Sequence, residues 1–160
     1  MPEYYQNTLF QAGCDSGVAA HCRKVAEVAG RFSGESVDKD LVYAGAMLHD
    51  IGRSKTHSIE HAGAGAEICR RLEFSGEIIQ IVGRHTGAGL TEDESVLLGL
   101  PPKSAVPETL EEKIVAHADN LVKGTLVITI EERLKLAENL SEGARGRMRR
   151  LAAEMEVFRE

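Results

Sequence analysis

Between Leu41 and Leu48 the chain reads LVYAGAML, apolar nearly all the way round a helix. A helix without a polar stripe is normally central and buried, so this segment demands neighbours on more than one side. Asp38 offers a start, and Gly52 is expected to stop it. The run ends in His49-Asp50, with His57 and His61 close behind. Placing ionisable side chains at the end of a buried helix is costly unless they have partners, so this junction is where chemistry is sought first.

The rest of the chain supplies the neighbours, because helical periodicity dominates it. A short helix is expected over Glu3 to Gln11. A second, capped by Asp15 or Ser16, runs to about Phe32 with the stripe Val18, Cys22, Val25, Ala29, Phe32. Others cover about His61 to Leu72 and Ser75 to His85, and TGAGL after them is a turn. Three capping boxes follow: Thr91 with Glu94, Thr109 with Glu112, and Thr129 with Glu132. The proline-rich loop LPPKSAVP separates the first two, and the Thr109 helix is expected to reach about Val122. TLVITI is the one β-like run. A single strand is not stable alone, so it is expected to be an extended linker or the start of the next helix. The C-terminal segment is helical but interrupted by Gly143 and Gly146. Its seam of Ala144, Met148, Leu151, Met155 and Phe158 must pack on the body of the domain or on a second chain, as a homodimer. The fold class is therefore all-α, a globule of roughly six or seven helices.

Composition narrows the function classes. A chain of 160 residues fits one domain and buries enough surface to need no staples. Its apolar runs fall far short of the ~20 residues that span a bilayer, and MPEYYQNTLF lacks the basic start and apolar middle of a signal peptide. The expected location is the cytoplasm, with no membrane partner. The formal net charge of −6 weighs against non-specific binding to nucleic acid. Cys14, Cys22 and Cys69 are odd in number and form no CxxC, which argues against a disulfide framework and against a thiolate zinc site. Cys22 and Cys69 read as small core residues.

On a helix, residues three, four and seven apart share a face. His21 shares one with Val25 and Val28, and His61 leads the stripe Gly65, Ile68, Leu72. His85 ends the stripe Ile78, Ile81, Val82, and Asp119 lies at the margin of the face Ile114, Val115, Ala118, Val122. One histidine on an apolar face is ordinarily a hydrogen-bonded core residue. Four of them on separate helices, with Asp50 and Asp119, are explained at once by a shared metal centre. Neutral imidazole and carboxylate suit first-row divalent ions, and a carboxylate can bridge two of them. His57, in an expected loop, is either a substrate contact or a surface residue, with the surface reading favoured. His117 points elsewhere on its helix and is expected to be structural.

These residues resemble those of a known family. His21, then His49-Asp50, then Asp119 has the order and spacing of the HD superfamily of metal-dependent phosphohydrolases. HDIGR (His49 to Arg53) is similar to the HDIG form of its central motif, AHADNL to its last helix, and His61 and His85 to the extra histidines of its dinuclear subgroup. The resemblance spans about residues 15 to 125 and is nearest to small single-domain HDIG proteins of archaeal type. It implies an HD-type metal-binding domain over residues 1–125 and a C-terminal helical extension over 126–160. It implies one or two divalent ions of iron, manganese, zinc, cobalt or nickel. His21, His49, Asp50 and Asp119 would hold one ion, and Asp50 would bridge to a second held by His61 and His85. His49 and Asp50 would be the catalytic pair, and Arg53, Lys55 and Arg84 are expected to contact the substrate phosphates. The alternative for these three cations is solvated surface charge.

The second histidine and the GYP signature of cyclic-dinucleotide phosphodiesterases are absent from RHTGAG (residues 84–89). The expected activity is hydrolysis of a phosphate ester or anhydride in a small phosphorylated compound, a nucleotide, by a metal-activated water. Two other readings compete: a nucleotide-binding or regulatory module without turnover, and an RNA-associated protein. The last is motivated by Arg145, Arg147, Arg149 and Arg150 in ARGRMRR, for which the polar face of a terminal helix is the simpler account.

Overall fold

The LVYAGAML helix has neighbours on both sides, as its composition demands. The computed structural model describes residues 2–160. Among them, nine α-helices form one all-α body. These are α1 (Pro2–Ala12), α2 (Ser16–Ala29), α3 (Lys39–Leu48), α4 (His61–Arg71), α5 (Gly76–Gly83), α6 (Glu92–Leu97), α7 (Leu110–Asn120), α8 (Ile130–Leu136) and α9 (Glu142–Glu156). Helix α3 packs against α1, α2, α5 and α7. It gives Val42, Ala46 and Met47 to one apolar cluster, shared with α2, α7 and α9. It gives Ala44 and Leu48 to a second, shared with α1, α4 and α5. Both faces of α3 are core faces, which is why no polar stripe survives on it.

Local signals set the helix starts. Asp15, Asp38 and Ser75 each accept a backbone N–H of the first turn of α2, α3 and α5. Thr91 and Thr109 form complete capping boxes with Glu94 and Glu112. The third box is incomplete: Thr129 accepts from the Glu132 N–H, but the Glu132 carboxylate takes the Thr129 hydroxyl instead of its N–H.

Gly52 does not stop α3. The helix ends at Leu48, and Gly52 lies inside a 3-10 turn, Ile51–Ser54. A Cβ on Gly52 would fall on the His61 carbonyl oxygen, and one on Gly65 would lie 3.1 Å from the Gly52 nitrogen. The two glycines let the backbones of this turn and α4 touch, which brings His61 up to Asp50.

TLVITI is neither a linker nor a helix start throughout. Leu126–Val127 pairs antiparallel with Val122–Lys123 in a minimal hairpin, with Gly124 at φ 63 in its turn, and α8 begins only at Ile130. The expected breaks at Gly143 and Gly146 are absent, because α9 runs through both. The interruption lies instead between α8 and α9. Met148, Leu151 and Met155 of the C-terminal seam are buried in the first core cluster, with Phe158 packed against it. Each such side chain contributes ~1.5–3 kcal/mol by leaving water. No helix among the described residues is long and apolar enough to cross a membrane.

All three cysteines are free and buried. The Cys14 thiol donates to the Ile51 carbonyl at 3.5 Å. Burial pushes its pKa up to about 11 and that of Cys69 up to about 12, so both stay protonated and neither is a nucleophile.

Candidate metal centre

Helix ends converge beside α2. His49 directly follows α3, His61 opens α4, Asp119 is the penultimate residue of α7, and His85 lies just past α5. His21 comes from the interior of α2. The structure brings all five together around Asp50.

Asp50 faces two ways. Its Oδ1 lies 3.3 Å from His61 Nε2 and 3.3 Å from His85 Nε2. Its Oδ2 lies 3.6 Å from His21 Nε2 and 3.7 Å from His49 Nε2. Asp119 Oδ1 completes the second group, 3.0 Å from His21 Nε2 and 3.3 Å from His49 Nε2.

The other ring nitrogen of each histidine is committed. The Nδ1 atoms of His49, His61 and His85 donate to the carbonyls of Ala46, Ser58 and Val82 at 2.6, 2.9 and 2.7 Å. His21 Nδ1 donates to the Gly124 carbonyl at 2.7 Å. A carbonyl only accepts, so each Nδ1 carries the proton and each neutral ring presents a bare Nε2 lone pair. Those lone pairs meet carboxylate oxygens and one another: His61 Nε2 and His85 Nε2 are 3.1 Å apart. Acceptors facing acceptors repel unless a cation lies among them.

His49 Nε2 is buried without a hydrogen-bond partner, a cost that a bound cation removes. Two subsets, His21-His49-Asp119 and His49-Asp50-His85, present ligand atoms within 4.8 Å of one another, close enough to hold an ion. The residues present therefore fit the metals that the donor chemistry suggests. Carbonyl-anchored imidazoles are also the usual outer support of metal-binding histidines.

Without an ion, protons must do the same work. Burial drives the His49 imidazole toward neutrality, but Asp50 and Asp119 outweigh it and hold its pKa well above the usual histidine value. Burial also opposes the Asp50 carboxylate. His49 and hydrogen bonds from His61 and His85 nevertheless keep it far below the carboxylate range. Asp119 is held down in the same way, against burial, by the charge of nearby His49 and by the hydrogen bond from His21.

The three expected phosphate contacts part company. Arg53 lies at the centre, its Nε 3.2 Å from Asp50 Oδ2 and its Nη1 donating to the His57 carbonyl at 3.1 Å. Lys55 is not there; it lines a separate cavity of about 440 Å³ with Tyr4, Ile68 and Phe74. Arg84 is spent on Glu112, at 3.0 and 3.2 Å, and on Glu108 at 3.3 Å. Its capture follows from the capping box, which fixes the Glu112 carboxylate nearby. His57 is exposed. His117 is buried, edge-on to Phe32 at 5.3 Å and 3.5 Å from Glu156 Oε1, and does not join the cluster.

The cluster opens into a cavity of about 330 Å³ that residue types alone did not delimit. Thr86, Asn120, Lys123, Arg133, Leu140 and Met148 line it. Thr86 and Lys123 had a faint signal, since they closely follow His85 and Asp119. The Gly124 carbonyl that orients His21 had none, because every residue carries one. Of the terminal arginines, Arg147 pairs with Glu94, Arg145 donates to the Leu134 carbonyl at 3.3 Å, and Arg149 and Arg150 are exposed.

Comparison with known proteins agrees with the geometry. The HD domain family matches residues 18–124. A protein of Methanocaldococcus jannaschii with no assigned activity is 50% identical over 131 residues, covering 78% of each chain. A Picrophilus torridus protein named tRNA (cytidine(56)-2'-O)-methyltransferase is 48% identical over 132 residues, 82% of this chain and 39% of its own. A ribonuclease Y of Fervidobacterium nodosum is 31% identical over 120 residues, 71% of this chain and 23% of its own. This chain thus spans well under half the length of those two enzymes. No solved structure matches it.

Proposed function

The chain belongs to the HD domain family, and from that premise we propose that it is a metal-dependent phosphohydrolase acting on a nucleoside phosphate. The observation that carries this reading is the split of Asp50, whose two oxygens each face a separate pair of bare imidazole nitrogens. In this proposal His21, His49, Asp50 and Asp119 hold one divalent ion, and Asp50, His61 and His85 hold a second. Manganese, iron, cobalt, nickel and zinc all suit that donor set. Bound ions would supply Lewis acidity, lowering the pKa of a water and balancing charge on the phosphoryl oxygens.

The chain's own groups do the rest. The four backbone carbonyls hold the imidazoles with Nε2 inward, so no reorganisation is needed when substrate arrives. Arg53 holds Asp50 in place and offers its guanidinium to a phosphoryl oxygen. In the overall reaction the oxygen of water bonds to phosphorus and the bond to the leaving oxygen breaks. The leaving oxygen gains a proton, giving an alcohol or a second phosphate.

The relatives named for tRNA methylation and for ribonuclease Y favour a second reading, in which the phosphate belongs to RNA. The exposed Arg149 and Arg150 agree with it.

The test strips the protein of metal, restores each divalent ion in turn and measures phosphate release from nucleotides, dinucleoside polyphosphates and phosphate-ended RNA. Release that needs an added ion and is lost in Asp50→Ala supports the proposal. Full activity in that variant would falsify it.

A further inference from the structure

The cavity at the centre has two kinds of wall. One is the cluster itself, with Arg53 and Lys123 contributing positive charge. Beside it stands Thr86, whose buried hydroxyl has no hydrogen-bond partner although it directly follows His85. These are what a phosphate needs.

The other wall is apolar: Val122, Ala137, Leu140 and Met148. Three of these four lie beyond residue 124, where the family match ends. A phosphate gains nothing from such a wall. Leu140 remains 44% exposed there, so an apolar partner would gain by covering it.

Resting on the hydrolase reading, we infer that the segment after residue 124 is a specificity wall that holds the nucleoside of the substrate. A purine or pyrimidine presents a flat face to Leu140 and to the polarisable thioether of Met148. Asn120 gives its Nδ2 to the Gly87 carbonyl at 3.0 Å, and its amide oxygen remains an acceptor for a base or ribose donor. Lys123 and Thr86 hold the phosphate. The volume of about 330 Å³ is at the lower end of the ~300–1,000 Å³ typical of small-molecule sites. That is room for one nucleotide unit, free or at the end of an RNA.

The test is equilibrium binding to the full chain loaded with manganese, read by calorimetry so that turnover is not required. The probes are adenosine 5'-monophosphate and glycerol 3-phosphate, which share a phosphomonoester and differ in the nucleoside. The wild type is expected to bind the nucleotide about tenfold more tightly. Leu140→Gln, which removes the apolar face without adding charge at a position 44% exposed, is expected to erase that margin while glycerol phosphate still binds through the phosphate wall. Lys123→Ala is expected to weaken both probes alike.

Equal affinities in the wild type overturn the inference. So does a Leu140→Gln variant that weakens both probes together, or no binding of either. A nucleotide bound with the predicted preference but not hydrolysed would count against the hydrolase reading and leave the wall intact. A short RNA with a terminal phosphate, competing in a Leu140-dependent manner, would identify an RNA end as the source of the nucleotide. Competition indifferent to Leu140→Gln would overturn the wall.

Discussion

The histidines of the centre fall into two groups. His49, His61 and His85 sit at helix ends, and each Nδ1 donates to a carbonyl three residues earlier in the chain. His21 sits inside α2, and its acceptor is Gly124, 103 positions away. The difference follows from helix geometry. At the C-terminal ends of α3 and α5 the carbonyls near the last turn lack helical partners, and His49 and His85 use them; the Ser58 carbonyl just before α4 accepts both the backbone N–H and Nδ1 of His61. Inside a helix the carbonyls already accept from residues four ahead, so His21 must find its acceptor elsewhere. Three rings are oriented by their own segments, and one only by the folded molecule.

Asp50 is the point where the two groups meet, so its removal should have the largest effect. Asp50→Ala is expected to abolish binding of both ions, measured by metal analysis after dialysis, and to cut phosphate release at least about a thousandfold. Retention of one tightly held ion would mean that the two halves are independent. Gly52→Ala attacks the local group by pushing the turn off α4. It should cost about 2–4 kcal/mol of stability in chemical denaturation; a neutral result would show that the close approach can relax.

The distant anchor is tested through the hairpin. Gly124→Val strains a backbone at φ 63 and should shift the carbonyl that holds His21. The expected result is a tenfold to hundredfold loss of affinity for one ion of the pair, roughly the effect of losing an outer-shell partner. Equal loss at both ions would mean that the hairpin supports more of the centre than His21.

Protons sharpen the comparison further in metal-free protein. The pKa of His49 is raised, so its pairing stabilises fully below the ordinary histidine value of about 6.5 and fades as pH climbs through the raised value. The pKa values of Asp50 and Asp119 are depressed. Their contribution is present above the ordinary carboxylate value of about 3.9 and fades as pH falls toward the depressed values. Melting with a chelator present should therefore be highest near pH 4–6.5 and decline toward pH 9. Manganese should flatten the alkaline decline by replacing the protons; a decline that manganese does not alter would argue against a shared site. The smallest effect is expected at Lys55, which lines the other cavity. Lys55→Ala should change phosphate release by no more than about twofold.

Much of this was legible in the sequence because it was local. The apolar circuit of α3 announced a central helix, Asp and Thr caps marked helix starts, and the six candidate ligands were recognisable by residue type at helix edges. Gly52 looks like a stop from its neighbours alone, whereas its reason is a backbone on another helix. The hairpin is invisible in the sequence because Val122–Lys123 carries no strand signature until Leu126–Val127 folds back on it. Arg84, Lys55 and Arg53 are alike in one dimension, each a charge close to a ligand position.

The sequence by itself determined the all-α class, where most helices start, their caps and the chemical types gathered at their ends, since these depend on contacts within a few residues. Only the tertiary structure decided which cation faces the centre, which carbonyl orients His21, and that the C-terminal segment lines the cavity. The first turns on Glu112 capturing Arg84 from 28 positions away, the others on residues still further apart meeting in space, and no local pattern encodes those meetings.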